Sequence, residues 1–164
     1  MKTIKIIWQG IGGEGIKTAT AILATAINKT KYTAQSFPEY GPERSGAKTS
    51  AYTRISDREI NSHYPIVNPN ILVSTYDNSE FNCLKIIASD KLQKDDLIFN
   101  IPAKEIAKNF NSSYSNLPLI GALIAILEKY YSLDAKQILD SFKTSVKINP
   151  DIIREGYNKS KSIL

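Results

Sequence analysis

A short β-branched run at residues 3–8 (TIKIIW) passes straight into QGIGGEG and then into an amphipathic stretch, and nothing else constrains this fold as tightly. Gly10, Gly12 and Gly15 give the spacing G-x-G-x-x-G, with Gly13 as an extra glycine. Only glycine lets a backbone turn so sharply and lets a ligand or a neighbouring backbone come close to it. The helix that follows presents unpaired N–H groups, which suit an anion. Ile16, Ala19, Leu23 and Ile27 recur at helical intervals, so this stretch is predicted to bury one face. Residues 32–37 (YTAQSF) read as a second strand, completing a strand, helix, strand unit of the length a parallel crossover needs.

The same spacing falls short of a dinucleotide site in two respects. Such a site also uses an Asp or Glu near the end of the second strand to hold ribose hydroxyls, and this chain has Ala34, Gln35 and Ser36 there. Glu14 adds a carboxylate beside the donor N–H groups, where it repels phosphate unless it turns away, and Lys17 one turn on offsets that in part. The glycines read equally well as a device for tight packing of strand, helix and a partner surface. A free-standing nucleotide-binding module, an NAD or FAD dehydrogenase or an adenylate sensor, stays open as the alternative.

Beyond the second strand, residues 49–55 (TSAYTRI) have strand composition, and the polar turn Ser56, Asp57, Arg58 before Ile60 predicts a hairpin. Residues 71–75 (ILVST) read as a central strand, and Asp77 with Glu80 as a helix start after it. A strand is expected within 85–94 and a clearer one at 97–101, with Pro102 taking the first helical position of AKEIAKNF. Further helices are expected at 119–131, at 134–143 capped by Asp134, and at 151–161 after Pro150. The whole chain, 1–164, is predicted to be one α/β domain: a three-layer α/β/α, Rossmann-like arrangement around a mixed, mainly parallel sheet.

Composition narrows the chemistry. Cys83 and His63 are single examples of their kinds, which excludes a disulfide framework and a cysteine-ligated zinc or iron–sulfur site held by this chain alone. Cys83, near Phe81 and Leu84, reads as a small buried hydrophobe, His63 as a non-catalytic turn residue, and Trp8 as packing under the sheet or against a partner. The formal charge of +5 favours anionic partners, but the basic residues are spread out and form no nucleic-acid pattern. No apolar run reaches the length of a membrane span and no export signal is evident, so a cytoplasmic location is expected.

The segment FPEYGPERSGAKTSAYTR, residues 37–54, is the least generic part of the chain. Glu39, Glu43 and Arg44 alternate with turn-formers, and by composition alone this is a solvated surface loop. Together with Gly10, Gly12, Gly13 and Gly15, however, the run Tyr40, Gly41, Pro42, Glu43, Arg44, Ser45 and Gly46, then Ala51, Thr53, Arg54 and Ile55, resembles the gamma subunit of the 2-oxoacid:ferredoxin oxidoreductases of pyruvate and 2-oxoisovalerate type. The resemblance continues through Pro102, Glu105, Ile106, Ala107, Asn116, Gly121, Glu155, Gly156 and Tyr157, across essentially the whole chain. Two departures stand out: the family usually has Gln at the position of Glu14, and often Gly or Arg near Ser45 and Ala47.

The resemblance implies a subunit, inactive alone, of an enzyme that decarboxylates a 2-oxoacid to acyl-coenzyme A and passes electrons to ferredoxin. Thiamine diphosphate, Mg and iron–sulfur clusters are then expected on partner alpha, beta and ferredoxin-like delta subunits, and this chain has no G-D-G segment for the diphosphate. No catalytic or metal-binding residue is assigned here. The expected coenzyme A or interface residues are Gly10, Gly12, Gly13, Gly15, Lys17, Tyr40, Gly41, Pro42, Glu43, Arg44, Ser45, Gly46 and Lys48, with Lys17, Arg44 and Lys48 as the cations. The two glycine-containing loops are expected to meet at the carboxyl ends of the first strands, where open α/β sheets place their crevice.

Overall fold

The computed structural model describes residues 2–39, 46–77, 81–144 and 148–164. Seven strands form one mixed sheet in the order β2-β3-β1-β4-β5-β7-β6. They are β1 (Ile4–Ile11), β2 (Thr33–Pro38), β3 (Lys48–Ser56), β4 (Ile71–Ser74), β5 (Leu84–Ala88), β6 (Gln93–Asp95) and β7 (Ile98–Ile101). The helices are α1 (Ile16–Ile27), α2 (Ala103–Asn109), α3 (Asn116–Tyr131), α4 (Ala135–Ser141), followed by a 3-10 turn, and α5 (Pro150–Lys161). β1, β4, β5 and β7 run parallel, β3 is antiparallel to β1, and β6 is antiparallel to β7.

The α/β class and the mixed, mainly parallel sheet are as expected from the sequence, but several details differ. β2 runs in the direction of β1, yet β3 lies between them, so the first strand, helix, strand unit does not make neighbours. The hairpin partner of β3 is β2 and not a strand near Ile60, because Gln35 to Pro38 match Arg54 to Ala51 in register while 57–70 is irregular. The helix start read at Asp77 with Glu80 falls on residues 78–80, which lie outside the described residues, and the chain is in β5 from Leu84. Pro102 is the residue before α2 and not its first.

The layering is also one-sided. Strand residues of one parity, such as Ile6, Trp8, Ile55, Val73, Ile86 and Phe99, share a single core with apolar side chains from every helix. The opposite parity contributes Ile7, Tyr52 and Leu72 to a small second cluster closed by Ile66 of the 57–70 segment. The described residues thus supply helices to one face only, and the expected third layer is absent there.

α3 is buried throughout residues 116–127. It packs on α5 at backbone distance: a Cβ placed on Gly121 would lie 2.0 Å from the Ile153 carbonyl oxygen, and one on Gly156 would lie 2.3 Å from that of Pro118. These two glycines set how closely the helical layer closes behind the sheet.

Candidate functional site

The end of β1 brings the two glycine-containing segments together. Gly10 pairs with Thr49 and Ile11 with Lys48 across the β1–β3 ladder, and the Gly12 N–H donates to the Ala47 carbonyl at 2.7 Å. α1 packs so closely here that a Cβ on Gly10 would meet Ile16 Cγ1 at 2.4 Å. Gly13 and Gly15 have φ of 99° and 73°, and Gly46 across the junction has 83°, a region that favours glycine. Tyr40, Gly41, Pro42, Glu43, Arg44 and Ser45 lie outside the described residues.

Glu14 turns into the loop. Its N–H donates to the Ile11 carbonyl at 3.0 Å, and its carboxylate Oε2 accepts the Ile11 N–H at 2.8 Å and the Thr75 hydroxyl. The loop is therefore a closed turn whose anion is its own side chain, tied to the residue after β4. On the other flank, Asn116 at the start of α3 donates from Nδ2 to the Gly15 carbonyl at 2.6 Å, and its Oδ1 is buried without a partner. Loop, β4 and α3 are thus fastened to one point.

Cations stand around it on two sides. Lys48 Nζ lies 5.4 Å above the Tyr76 ring, and Lys17 stands half-buried in the first turn of α1. Beside the loop, a cavity of about 370 Å³ is lined by Gly13, Glu14, Lys104, Ala107, Ser112, Ser113 and Ser115. Sequence reasoning did not select Thr75, Tyr76, Lys104 or these serines. The usable signal was positional: Thr75 and Tyr76 follow β4 and Lys104 follows β7, and parallel strands deliver the residues after them to one edge.

The helix-free face carries a different arrangement. Arg54, only 4% exposed, donates to Gln35 Oε1 at 3.2 Å and to the Tyr64 carbonyl, with its guanidinium 5.3 Å above Phe37. Burial pushes its pKa down. Gln35 Nε2 also meets His63 Nδ1 at 2.9 Å. The Tyr52 hydroxyl is raised, first by burial and then by the charge and hydrogen bond of Glu39. On the opposite, helix-covered face Trp8 is fully buried and donates from Nε1 to Thr53 Oγ1 at 3.1 Å.

Cys83 is half-buried against the second cluster, and burial raises its thiol. Among the described residues no group of three His, Cys, Asp or Glu side chains could hold a metal ion. No described helix is long and apolar enough to cross a membrane.

The profile of a protein family described as "Pyruvate ferredoxin/flavodoxin oxidoreductase" matches residues 5–159. A "Pyruvate synthase subunit PorC" of Thermotoga maritima is 40% identical over 72 residues, 44% of this chain and 38% of that protein. The aligned stretch thus spans about two fifths of the length of that relative. A "Pyruvate synthase subunit PorC" of Methanocaldococcus jannaschii is 31% identical over 156 residues, 85% of this chain and 86% of the relative. The solved structure of pyruvate oxidoreductase subunit PORC from Thermotoga maritima superposes with a TM-score of 0.70 at 22% identity, covering 96% of this chain and 97% of that one, which establishes a shared fold.

Proposed function

Because the chain belongs to the pyruvate ferredoxin/flavodoxin oxidoreductase family, we propose that it serves as the gamma-type subunit of a 2-oxoacid:ferredoxin oxidoreductase. The observation that carries this is the alignment to a relative named as a pyruvate synthase subunit over 85% of this chain. In such an assembly thiamine diphosphate and iron–sulfur clusters on alpha, beta and ferredoxin-like delta subunits supply the decarboxylation and electron transfer to ferredoxin. This chain supplies structure and charge at one edge of its sheet.

Lys17, Lys48 and Arg44 are proposed to meet the phosphates of coenzyme A as it approaches that edge. Lys17 and Lys48 flank the loop that joins β1 to α1, and lysine and arginine are the usual phosphate partners. Glu43 is proposed to orient Arg44 or to meet a neighbouring subunit, with no part in the chemistry. β3 and α1 hold Lys48 and Lys17 in place so that binding energy goes into orientation.

The complex isolated from the source organism should contain this chain with thiamine-dependent partners, and a pull-down that returns none would defeat the proposal. In the reconstituted complex, Arg44→Ala with Lys48→Ala should raise the KM for coenzyme A with kcat nearly unchanged. An unchanged KM together with unchanged assembly would remove the coenzyme A assignment and leave the subunit assignment standing.

A further inference from the structure

We infer that Glu14 acts as a built-in anion that closes the glycine loop to phosphate, so that any polyanion reaching this edge is held by side-chain cations and not by the loop N–H groups. A glycine loop running into a helix normally takes phosphate because its N–H groups converge on empty space and carry partial positive charge. In this chain the Glu14 carboxylate is turned into the loop. The Ile11 N–H is spent on Glu14 Oε2 at 2.8 Å, the Thr75 hydroxyl bonds the same oxygen, and the Glu14 N–H is spent on the Ile11 carbonyl at 3.0 Å.

The carboxylate is held from two strands at once, since Ile11 ends β1 and Thr75 follows β4. Rotating it out would break both bonds, and leaving it in place sets a negative charge against any incoming phosphate. The flanking cations are placed for the second mode of binding. Lys104 lines the same cavity as Glu14, and Lys48 lies over the Tyr76 ring. Glu14 is therefore a specificity-determining residue: it turns a phosphate-type loop into a rigid turn. The inference does not depend on coenzyme A being the ligand.

The test uses the 164-residue chain and inorganic pyrophosphate, with sodium chloride at matched ionic strength as reference. Thermal stabilisation and the amide resonances of Ile11, Gly13 and Ile16 are followed in the parent chain, in Glu14→Gln and in Glu14→Ala. Glu14→Gln keeps an acceptor for Ile11 and so preserves the turn, while Glu14→Ala empties the space. The expected result is no saturable response at these amides in the parent and a saturable one in at least one variant, tighter by roughly ten-fold or more. Binding of pyrophosphate at these amides in the parent with equal affinity in both variants would overturn the inference. So would folded variants that remain as unresponsive as the parent. Failure of the coenzyme A reading would show instead as an unchanged KM in the reconstituted complex, an independent readout.

Discussion

Asn116 donates from its side-chain nitrogen to the carbonyl of Gly15 at 2.6 Å, joining the start of α3 to the start of α1 across 101 residues of sequence. A Cβ on Gly15 would lie 2.7 Å from that same nitrogen, and φ there is 73°. Gly15→Ala therefore meets both a steric and a conformational barrier and should destabilise the fold by about 2 kcal/mol. Asn116→Ala should cost about 1 kcal/mol, and the double variant less than the sum, because removing the amide also removes the clash. Urea denaturation of the four-member cycle checks this, and strict additivity would refute the coupling.

Gly121 and Gly156 pose a different problem, since the atoms facing them are backbone and cannot rotate away. Alanine at either position must push α3 and α5 apart, with an expected loss of about 3 kcal/mol or more. Because each glycine faces the opposite helix, the pair should behave as one event, so that a second alanine costs much less than the first. Calorimetric melting of the three variants measures it, and a loss under about 1 kcal/mol for Gly121→Ala would show that the helices part easily.

Arg54 holds the 57–70 segment against the helix-free face through the Tyr64 carbonyl, while Tyr64 and Val67 themselves remain 80% and 75% exposed. Lysine cannot donate to Gln35 and Tyr64 together while lying over Phe37. Arg54→Lys should lower stability by about 1–3 kcal/mol and speed amide exchange in 57–70 more than in α3. Uniform exchange rates across the chain would mean that the segment is anchored by Ile66 alone.

What could be read in advance follows from where the information lies. β1, α1, α3 and the cap at Asp134 announce themselves locally: apolar runs, helical spacing, and a short polar side chain that bonds the N–H group three residues on. The pairing of β2 with β3 was not legible, because 49–55 carries strand residues that suit either neighbour and only the assembled sheet selects one. The helix-free face was hidden for a similar reason: Ile7 and Leu72 look as apolar as the residues facing the main core, although Ile66 and the partly buried Phe37, Phe81 and Cys83 pack on them instead of a helix. At the candidate site the glycines and Glu14 were visible, but its inward turn depends on Thr75, whose position is set by a strand 61 residues away.

The last contact between α3 and α5 is a three-way cluster: Tyr157 donates to Glu128 at 2.7 Å, and Lys161 reaches Glu128 at 3.0 Å and the Tyr157 hydroxyl at 2.8 Å. Burial alone would raise the Glu128 carboxyl, but the Tyr157 and Lys161 bonds outweigh it and hold it below its ordinary value. Lys161 is raised, first by its bond to Tyr157, and Tyr157 is raised chiefly by burial. A lowered carboxyl stabilises the fold above its unfolded pKa and stops doing so as pH falls through the folded one. A raised lysine or tyrosine stabilises below its unfolded pKa, and that contribution is lost as pH rises through the folded value. Glu128→Gln should therefore be less stable than the parent between about pH 5 and 9 and converge with it only as pH falls through the lowered folded pKa, below which the parent carboxyl is also neutral. Tyr157→Phe should lose its deficit at the alkaline end, above about pH 10. Urea midpoints across this range measure both curves, and a Glu128→Gln deficit that widens toward acid would show that the cluster does not hold the carboxylate.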